Sequence, residues 1–386
     1  MHDLQDEFGH RYQDARGVRA FHAPGRVNLI GEHTDYNGGL VLPCAIDRGT
    51  QLLVRRTAAR SIKLASLNFD LIAILSPDEA GTAVGDHWIN YPLGVIAQFA
   101  KRGVTVTGIE CLYRGDIPNG AGLSSSASVN IVTAVALNAV FECGFSQLEL
   151  VHMAQAAENE FIGLACGVMD PYAIAMGQRG HAMALDCSTL ECDQVPLDLD
   201  GHTLVISNSN QRRELNDSGY NTRHRECVTA LEIVQQSHGI EALAALDMAT
   251  LASQASAFAG QDTAFRRARH VVTEQARVLG ACEALRAGDL AQFGQHMCAS
   301  HASLAQDFDV STPALDALVA AAMAVPGVVG SRMTGAGFGG CTVSLVADTA
   351  LAAFESEVSA RYHRETGLTA DFHPVVASDG AGERPL

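Results

Sequence analysis

The segment PNGAGLSSSAS at Pro118–Ser128 constrains this chain more than any other stretch. An apolar run, Ile109–Tyr113, leads into it and predicts a strand. Behind it Val129, Val132, Val135 and Ala136 recur at helical spacing and predict a helix over Ala127–Phe141. Strand, glycine-rich loop and helix, in that order, form an arrangement that binds phosphate. Gly120 and Gly122 let the backbone approach an anion with no Cβ in the way. Backbone N–H groups and the helix N-terminus then face the negative charge. Ser124, Ser125 and Ser126 add hydroxyls that can donate to phosphate oxygens or reach a magnesium ion. The plain alternative is a serine-capped helix after a glycine turn.

Lys63 and Lys101 are the only lysines, so no glycine loop here carries the lysine that a P-loop requires. Neither H-R-D nor D-F-G occurs, which excludes a protein kinase. A dinucleotide fold is disfavoured, because its glycine fingerprint should open an early βαβ unit. Phosphate bound at this loop must be neutralised by backbone dipoles, magnesium and an arginine.

Hydrophobic residues make up 47% and charged residues 18% of the 386, enough for sizeable cores and more than one domain. A net charge of -17 repels polyanions, so nucleic acid and anionic membrane are poor partners. The one dense basic run, Arg266, Arg267, Arg269 and His270, reads as a solvated helix face. Ten scattered cysteines without a C-x-x-C pair read as small core residues of a reduced protein. The polar start MHDLQDEFGHRYQ and the lack of a long apolar run lead us to expect a soluble, cytoplasmic chain. A monomer is expected over an obligate oligomer.

Short strands are expected at Leu40–Leu42, Gln51–Val54 and Ser61–Ala65, and a second helix at Gln147–Phe161. A strand at Thr203–Ser207 is followed by helices from about Asn221, an alanine-rich helical stretch to Ala324, and a strand at Cys341–Leu345. These shifts predict an N-terminal domain over residues 1–200 and a C-terminal one over 201–386.

Two further segments carry chemistry. APGRVNLIGEHTDY at Ala23–Tyr36 places Glu32, His33 and Asp35 within four positions after the apolar run Val27–Ile30. Carboxylates and an imidazole grouped this way suit a hydroxyl-rich ligand, although a polar turn would also use them. SRMTGAGFGG at Ser331–Gly340 is a second glycine-rich run. Together with PNGAGLSSSAS they resemble the GHMP family of small-molecule kinases, and CGVMDPYA, SNSN and GYNTRHREC add ordered matches along most of the chain. Within that family PGRVNLIGEHTDYNGG is most similar to the members that phosphorylate galactose.

The resemblance implies an α+β fold of two domains, the N-terminal one like domain 2 of ribosomal protein S5 and the C-terminal one ferredoxin-like. ATP and sugar would meet in the cleft between them. It implies galactose-binding roles for Glu32, His33, Asp35 and Tyr220, and an ATP phosphate loop at Gly120, Ala121, Gly122, Leu123, Ser124, Ser125 and Ser126. Ser126 and Glu158 match magnesium ligands, Asp170 the catalytic aspartate and Arg26 the arginine beside it. Such a site suits phosphoryl transfer, which needs positioning and charge neutralisation above all. Trp88, the only tryptophan, suits either an adenine pocket or core filling. Two departures are visible: Pro171 stands where many bacterial members have glutamine, and Ala336 where glycine is frequent. The expected reaction converts galactose and ATP to galactose 1-phosphate and ADP. A relative acting on N-acetylgalactosamine or arabinose, and a non-catalytic sugar sensor, are the alternatives. The intact serine loop, with Arg26 and Asp170 both present, speaks against the sensor.

Overall fold

The structure is a computed structural model that describes residues 2–85, 87–118, 122–164, 166–211 and 217–386. The expected phosphate-loop residues Gly120 and Ala121 lie outside the described residues.

The N-terminal half supplies helix α1 (His2–Tyr12) and strands β1 (Arg19–Asn28), β2 (Leu40–Val41), β3 (Pro43–Arg56), β4 (Ile62–Ser66) and β5 (Ala73–Leu75). Helix α2 (Asn90–Lys101), strand β6 (Ile109–Gly115) and helices α3 (Ser125–Val140), α4 (Gln147–Ala156) and α5 (Met169–Met176) follow. Strands β7 (His181–Asp186) and β8 (Cys192–Pro196) close this half and form a small sheet with β2. Successive side chains of β1, β3 and β6 point to opposite faces of the main sheet and both are covered, so burial runs almost unbroken along these strands. Helices α2 to α5 cover one face, with Phe21, Leu52, Val54, Leu93, Ile131 and Ile174 in one core. Helix α1 covers the opposite face through Leu4 and Phe8, against Leu53 and Leu112.

The second half begins with β9 (His202–Asn208) and runs through α6 (Asp217–Gln235), α7 (Met248–Ser253), α8 (Asp262–Ala287), α9 (Leu290–Ser303) and α10 (Pro313–Met323). Strands β10 (Val328–Thr334) and β11 (Cys341–Ala347), helix α11 (Leu351–Thr366) and strands β12 (Asp371–Val375) and β13 (Gly382–Arg384) complete it. The sheet order β10-β11-β9-β12, antiparallel throughout, is that of a split βαββαβ unit, the ferredoxin-like arrangement. Its inner face shares a core with the N-terminal half, where Val27, Leu29, Leu42 and Leu123 meet Leu204, Ile206, Phe293 and Val343.

Three expectations are corrected. The main sheet runs β13-β1-β3-β6-β4-β5, so the chain returns at Gly382–Arg384 to pair with Ala20–His22, and the division at residue 200 is not a clean cut. The helix expected at Gln147–Phe161 is α-helical only to Ala156, and Ala157–Ile162 widens into a π-helical stretch. The basic run is not a solvated face. Arg267 and His270 are buried, and Arg267 pairs with Glu226 at 2.7 Å and donates to the Asp307 carbonyl. Charge composition could not reveal a partner that lies on another helix. Among the described residues no helix is long and apolar enough to cross a membrane.

Candidate active site

Local irregularities in regular elements position the site. The β1–β3 pairing slips in register between Pro24 and Arg26, and such a bulge re-aims the side chain that follows it. Arg26 thereby points under the phosphate-loop segment. Its Nη1 donates to the Gly122 carbonyl at 2.7 Å, and its backbone N–H donates to the carbonyl of Leu123. Its Nε and Nη2 form a two-pronged pair with Asp170, at 2.7 and 2.8 Å, in the first turn of α5.

Ser124 stands where an N-cap is expected, but its side chain makes no capping bond. Its backbone is left-handed (φ 59°, ψ 47°), and its hydroxyl donates instead to Asp170 Oδ2. A bond to a carboxylate outweighs a neutral cap. Ser125 faces outward, while Ser126 in the first turn of α3 hydrogen-bonds Glu158. Glu158 opens the π-helical stretch and is buried, and burial, first, raises its pKa. Asn130 Nδ2 donates to its Oε1 at 3.1 Å, and the Asn130 Oδ1 is a buried acceptor with no partner among the described residues.

The sugar-side segment expected at Glu32–Asp35 lies across from Asp170. Its members differ in their surroundings. Glu32 is buried with both oxygens engaged. Oε1 accepts the Gly335 N–H at 2.6 Å and the Thr334 hydroxyl at 3.2 Å, while Oε2 accepts the Asn28 amide and lies 3.2 Å from Arg332 Nη2. This knot ties the segment to the hairpin that bears the second glycine-rich run. His33 has a positive φ of 63° and lies in a ring cluster with Tyr36, Tyr220 and Phe308. Its Nε2 faces the Ala336 carbonyl at 3.2 Å and so carries the proton, and Nδ1 then accepts from the Tyr36 hydroxyl at 2.9 Å. Burial pushes its pKa down to about 3, so the ring is neutral.

Asp35 lines a cavity of about 400 Å³ with Tyr36, His152, Gln155, Gly167 and His224. Burial, then the nearby Asp170 charge, raises its pKa to about 7. Gly167 is backed against it so closely that a Cβ there would lie 1.9 Å from Asp35 Oδ2. Tyr220 on α6 adds a ring 5.5 Å from Tyr36, and its hydroxyl is held neutral by burial, with the charge of Asp35 as a further cause.

The structure thus brings Arg26, Gly122, Leu123, Ser124, Ser126, Glu158 and Asp170 into one cluster. His33, Asp35 and Tyr220 gather on one side of it, and Glu32 sits behind them. Sequence reasoning passed over Asn130, Gly167, Arg332 and the turning of Ser124 toward Asp170. None of these has a signal in residue type or spacing alone. Trp88 is half-buried between Phe69 and Tyr113, and its Nε1 has no partner among the described residues.

A helix behind the expected phosphate loop, an arginine-clamped aspartate and a ferredoxin-like second half are features that suit a small-molecule kinase. Comparison with known proteins agrees. The GHMP kinases N terminal domain matches residues 90–178, the GHMP kinases C terminal domain residues 281–364, and the galactokinase galactose-binding signature residues 6–56. A galactokinase of Bacillus subtilis is 45% identical over 100% of this chain and 98% of its own length. One of Halalkalibacterium halodurans is 44% identical over 99% and 97%. The solved galactokinase of Lactococcus lactis, complexed with galactose, superposes with a TM-score of 0.96 at 39% identity over 98% of both chains. A mevalonate kinase of Methanococcus jannaschii shares the fold alone, with a TM-score of 0.68 at 20% identity. The chain belongs to the galactokinase family, the ATP-dependent sugar kinases within the GHMP group.

Proposed function

We propose that this chain transfers the γ-phosphoryl group of ATP to the anomeric hydroxyl of α-D-galactose, with Asp170 and Arg26 at the point of transfer. The observation that carries this is the clamp itself. Asp170 is fixed by Arg26 and Ser124 between the phosphate-loop segment and the Asp35 cavity, where a sugar hydroxyl and a γ-phosphate can both reach it. Asp170 orients the attacking hydroxyl and takes its proton late in the reaction. Arg26 supplies positive charge beside the transferred group. The oxygens of Asp35 accept hydroxyls on the far side of the sugar, with Tyr220 and His33 walling the pocket. Glu32 holds that wall to the glycine-rich hairpin.

The triphosphate lies over the N-terminus of α3, where free N–H groups face it. Among the described residues no three His, Cys, Asp or Glu side chains converge on one point, so a cation here rests on a smaller protein set. Ser126 and Glu158 fit that set for magnesium. They supply a hydroxyl and a carboxylate, and the Asn130 Oδ1 beside them, without a partner among the described residues, offers a further oxygen. When bound, magnesium neutralises charge on the phosphate oxygens.

ADP release with magnesium and ATP, measured over a panel of monosaccharides, tests the reading. Galactose is expected to give the highest kcat/KM, with Asp170→Asn reducing kcat by at least about 100-fold while galactose still binds. Release with another sugar but not galactose overturns the substrate. Tight galactose binding without release points to a sensor. Near-normal turnover by Asp170→Asn removes Asp170 from the chemistry.

A further inference from the structure

Helix α8 carries two ionisable side chains that have no solvent exposure and no contact with the groups around Asp170. His270 and Glu274 are one turn apart and both 0% exposed. Their polar atoms grip the main chain of the sugar-side segment from behind. Glu274 Oε1 accepts the Gly31 N–H at 2.9 Å and the Ser300 hydroxyl at 2.5 Å, while Oε2 pairs with Arg277 at 2.6 Å. His270 Nε2 lies 3.0 Å from the Glu32 carbonyl, which can only accept, so that nitrogen carries the proton. Its Nδ1 then accepts from the Ser303 hydroxyl at 2.9 Å. The Phe308 ring lies 4.6 Å from the rings of both His270 and His33 and is tilted against each, which places His270, Phe308 and His33 in one row of rings.

The segment so held turns through two residues of positive φ, Gly31 at 98°, which glycine adopts freely, and His33 at 63°, which a side chain disfavours. A histidine in this region costs on the order of 1 kcal/mol and persists where its surroundings over-determine it. The Asn37 amide on the His33 carbonyl and the Thr34 hydroxyl on the Gly31 carbonyl restrain the turn from within; from the second half, the bonds to its main chain just before His33 are those of the buried helix α8 to the Gly31 N–H and the Glu32 carbonyl. Release of either loosens the main chain two to four residues before Asp35.

We propose that His270 and Glu274 are positioning residues for sugar binding: by holding the Gly31 N–H and the Glu32 carbonyl, they set where His33 and Asp35 stand without touching the sugar. This rests on the reading that Asp35 receives the sugar.

His270→Phe in the full chain keeps a ring against Phe308 and removes the donor. The expected result is a rise of about 10-fold in the KM for galactose, the size of one lost hydrogen bond, with the KM for ATP and kcat within about twofold of the parent. His270→Gln returns a donor and should recover most of the loss. A folded His270→Phe with unchanged galactose KM overturns the proposal. So does an equal loss in galactose KM, ATP KM and kcat that glutamine fails to repair, which is general loosening. Should His270→Phe not fold, Ser303→Ala frees the ring's other nitrogen. It is expected to raise the galactose KM about threefold and nothing else, and no rise there also overturns the idea. Asp35→Ala run alongside separates the two readings. If its galactose KM is unchanged, the sugar reading fails; if its KM rises while that of His270→Phe does not, only the positioning role fails.

Discussion

Asp170 has no carboxylate oxygen left without a donor: Arg26 Nε takes Oδ1, and Arg26 Nη2 and the Ser124 hydroxyl share Oδ2. The geometry is therefore set before a substrate arrives, and two substitutions should divide its effects. Lysine cannot reproduce the fork, so Arg26→Lys is expected to lower kcat at least about 100-fold. Ser124→Ala keeps the ion pair and loosens one oxygen, and is expected to lower kcat about 10-fold with little change in either KM. Steady-state kinetics with both substrates varied reads each; a KM effect confined to ATP would return Ser124 to phosphate binding alone. Asp35 predicts a pH dependence. Its pKa is raised from 3.8 to about 7, so the native state holds this proton more tightly than the unfolded chain. Its contribution to stability is thus fullest below pH 3.8 and is lost as pH rises toward 7. Asp35→Asn, which cannot ionise, should match the parent in Tm at pH 4 and exceed it at pH 8 by roughly 2 °C or more. Thermal melts across that range check the sign. The same ionisation predicts that kcat/KM for galactose climbs with pH through about 7 in the parent.

Among the elements, those that matter most for the site are irregular. The bulge at Pro24–Arg26, the left-handed Ser124 ahead of α3 and the π-helical turn at Glu158 each bring one side chain to the cluster. Residue spacing carried the strand and the helix on either side of the glycine–serine segment and the existence of α4, because apolar periodicity survives in sequence. It could not carry the irregularities. A π turn changes the register of a helix without changing which residues are apolar, so Gln147–Phe161 read as one helix. The burial of Arg267 and His270 was hidden for a related reason: their partners Glu226, Ser303 and the Glu32 carbonyl come from other elements. The motif residues were legible by resemblance, whereas Gly167 was not singled out, and its role is steric. Gly167→Ala forces a methyl group into the Asp35 carboxylate. We expect at least a 10-fold rise in galactose KM with the ATP KM unchanged, an overpacking cost of about 1–3 kcal/mol. An unchanged galactose KM in a folded variant would remove the contact from sugar binding.

At the scale of the whole molecule, two halves that the sequence divided near residue 200 share one apolar core, and the second gives a strand to the sheet of the first. Composition shifts found the start of β9 but gave no sign that residues 382–384 turn back, because three residues without apolar alternation carry no strand signal. The strand is clasped by Arg19, whose paired bonds to Glu383 are both 2.7 Å, yet both side chains are substantially exposed. Such a pair contributes at most about 1 kcal/mol, so Glu383→Ala should leave the denaturation midpoint nearly unchanged. Deleting residues 380–386 also removes the β13 ladder and the Ala381 bond to the Ile174 carbonyl, and should lower Tm by several degrees and promote aggregation. Melts and light scattering on the pair of variants distinguish clasp from strand.

The position of β13 in the main sheet has a consequence in time. Its neighbour β1 is finished early, but the strand that covers that edge is encoded about 360 residues later, on the order of half a minute of synthesis. Until then a growing chain exposes a row of unpaired backbone groups beside an otherwise formed sheet. A ribosome that stalls before β13 is made would release a polypeptide with a sticky flank, a substrate for chaperones and proteases.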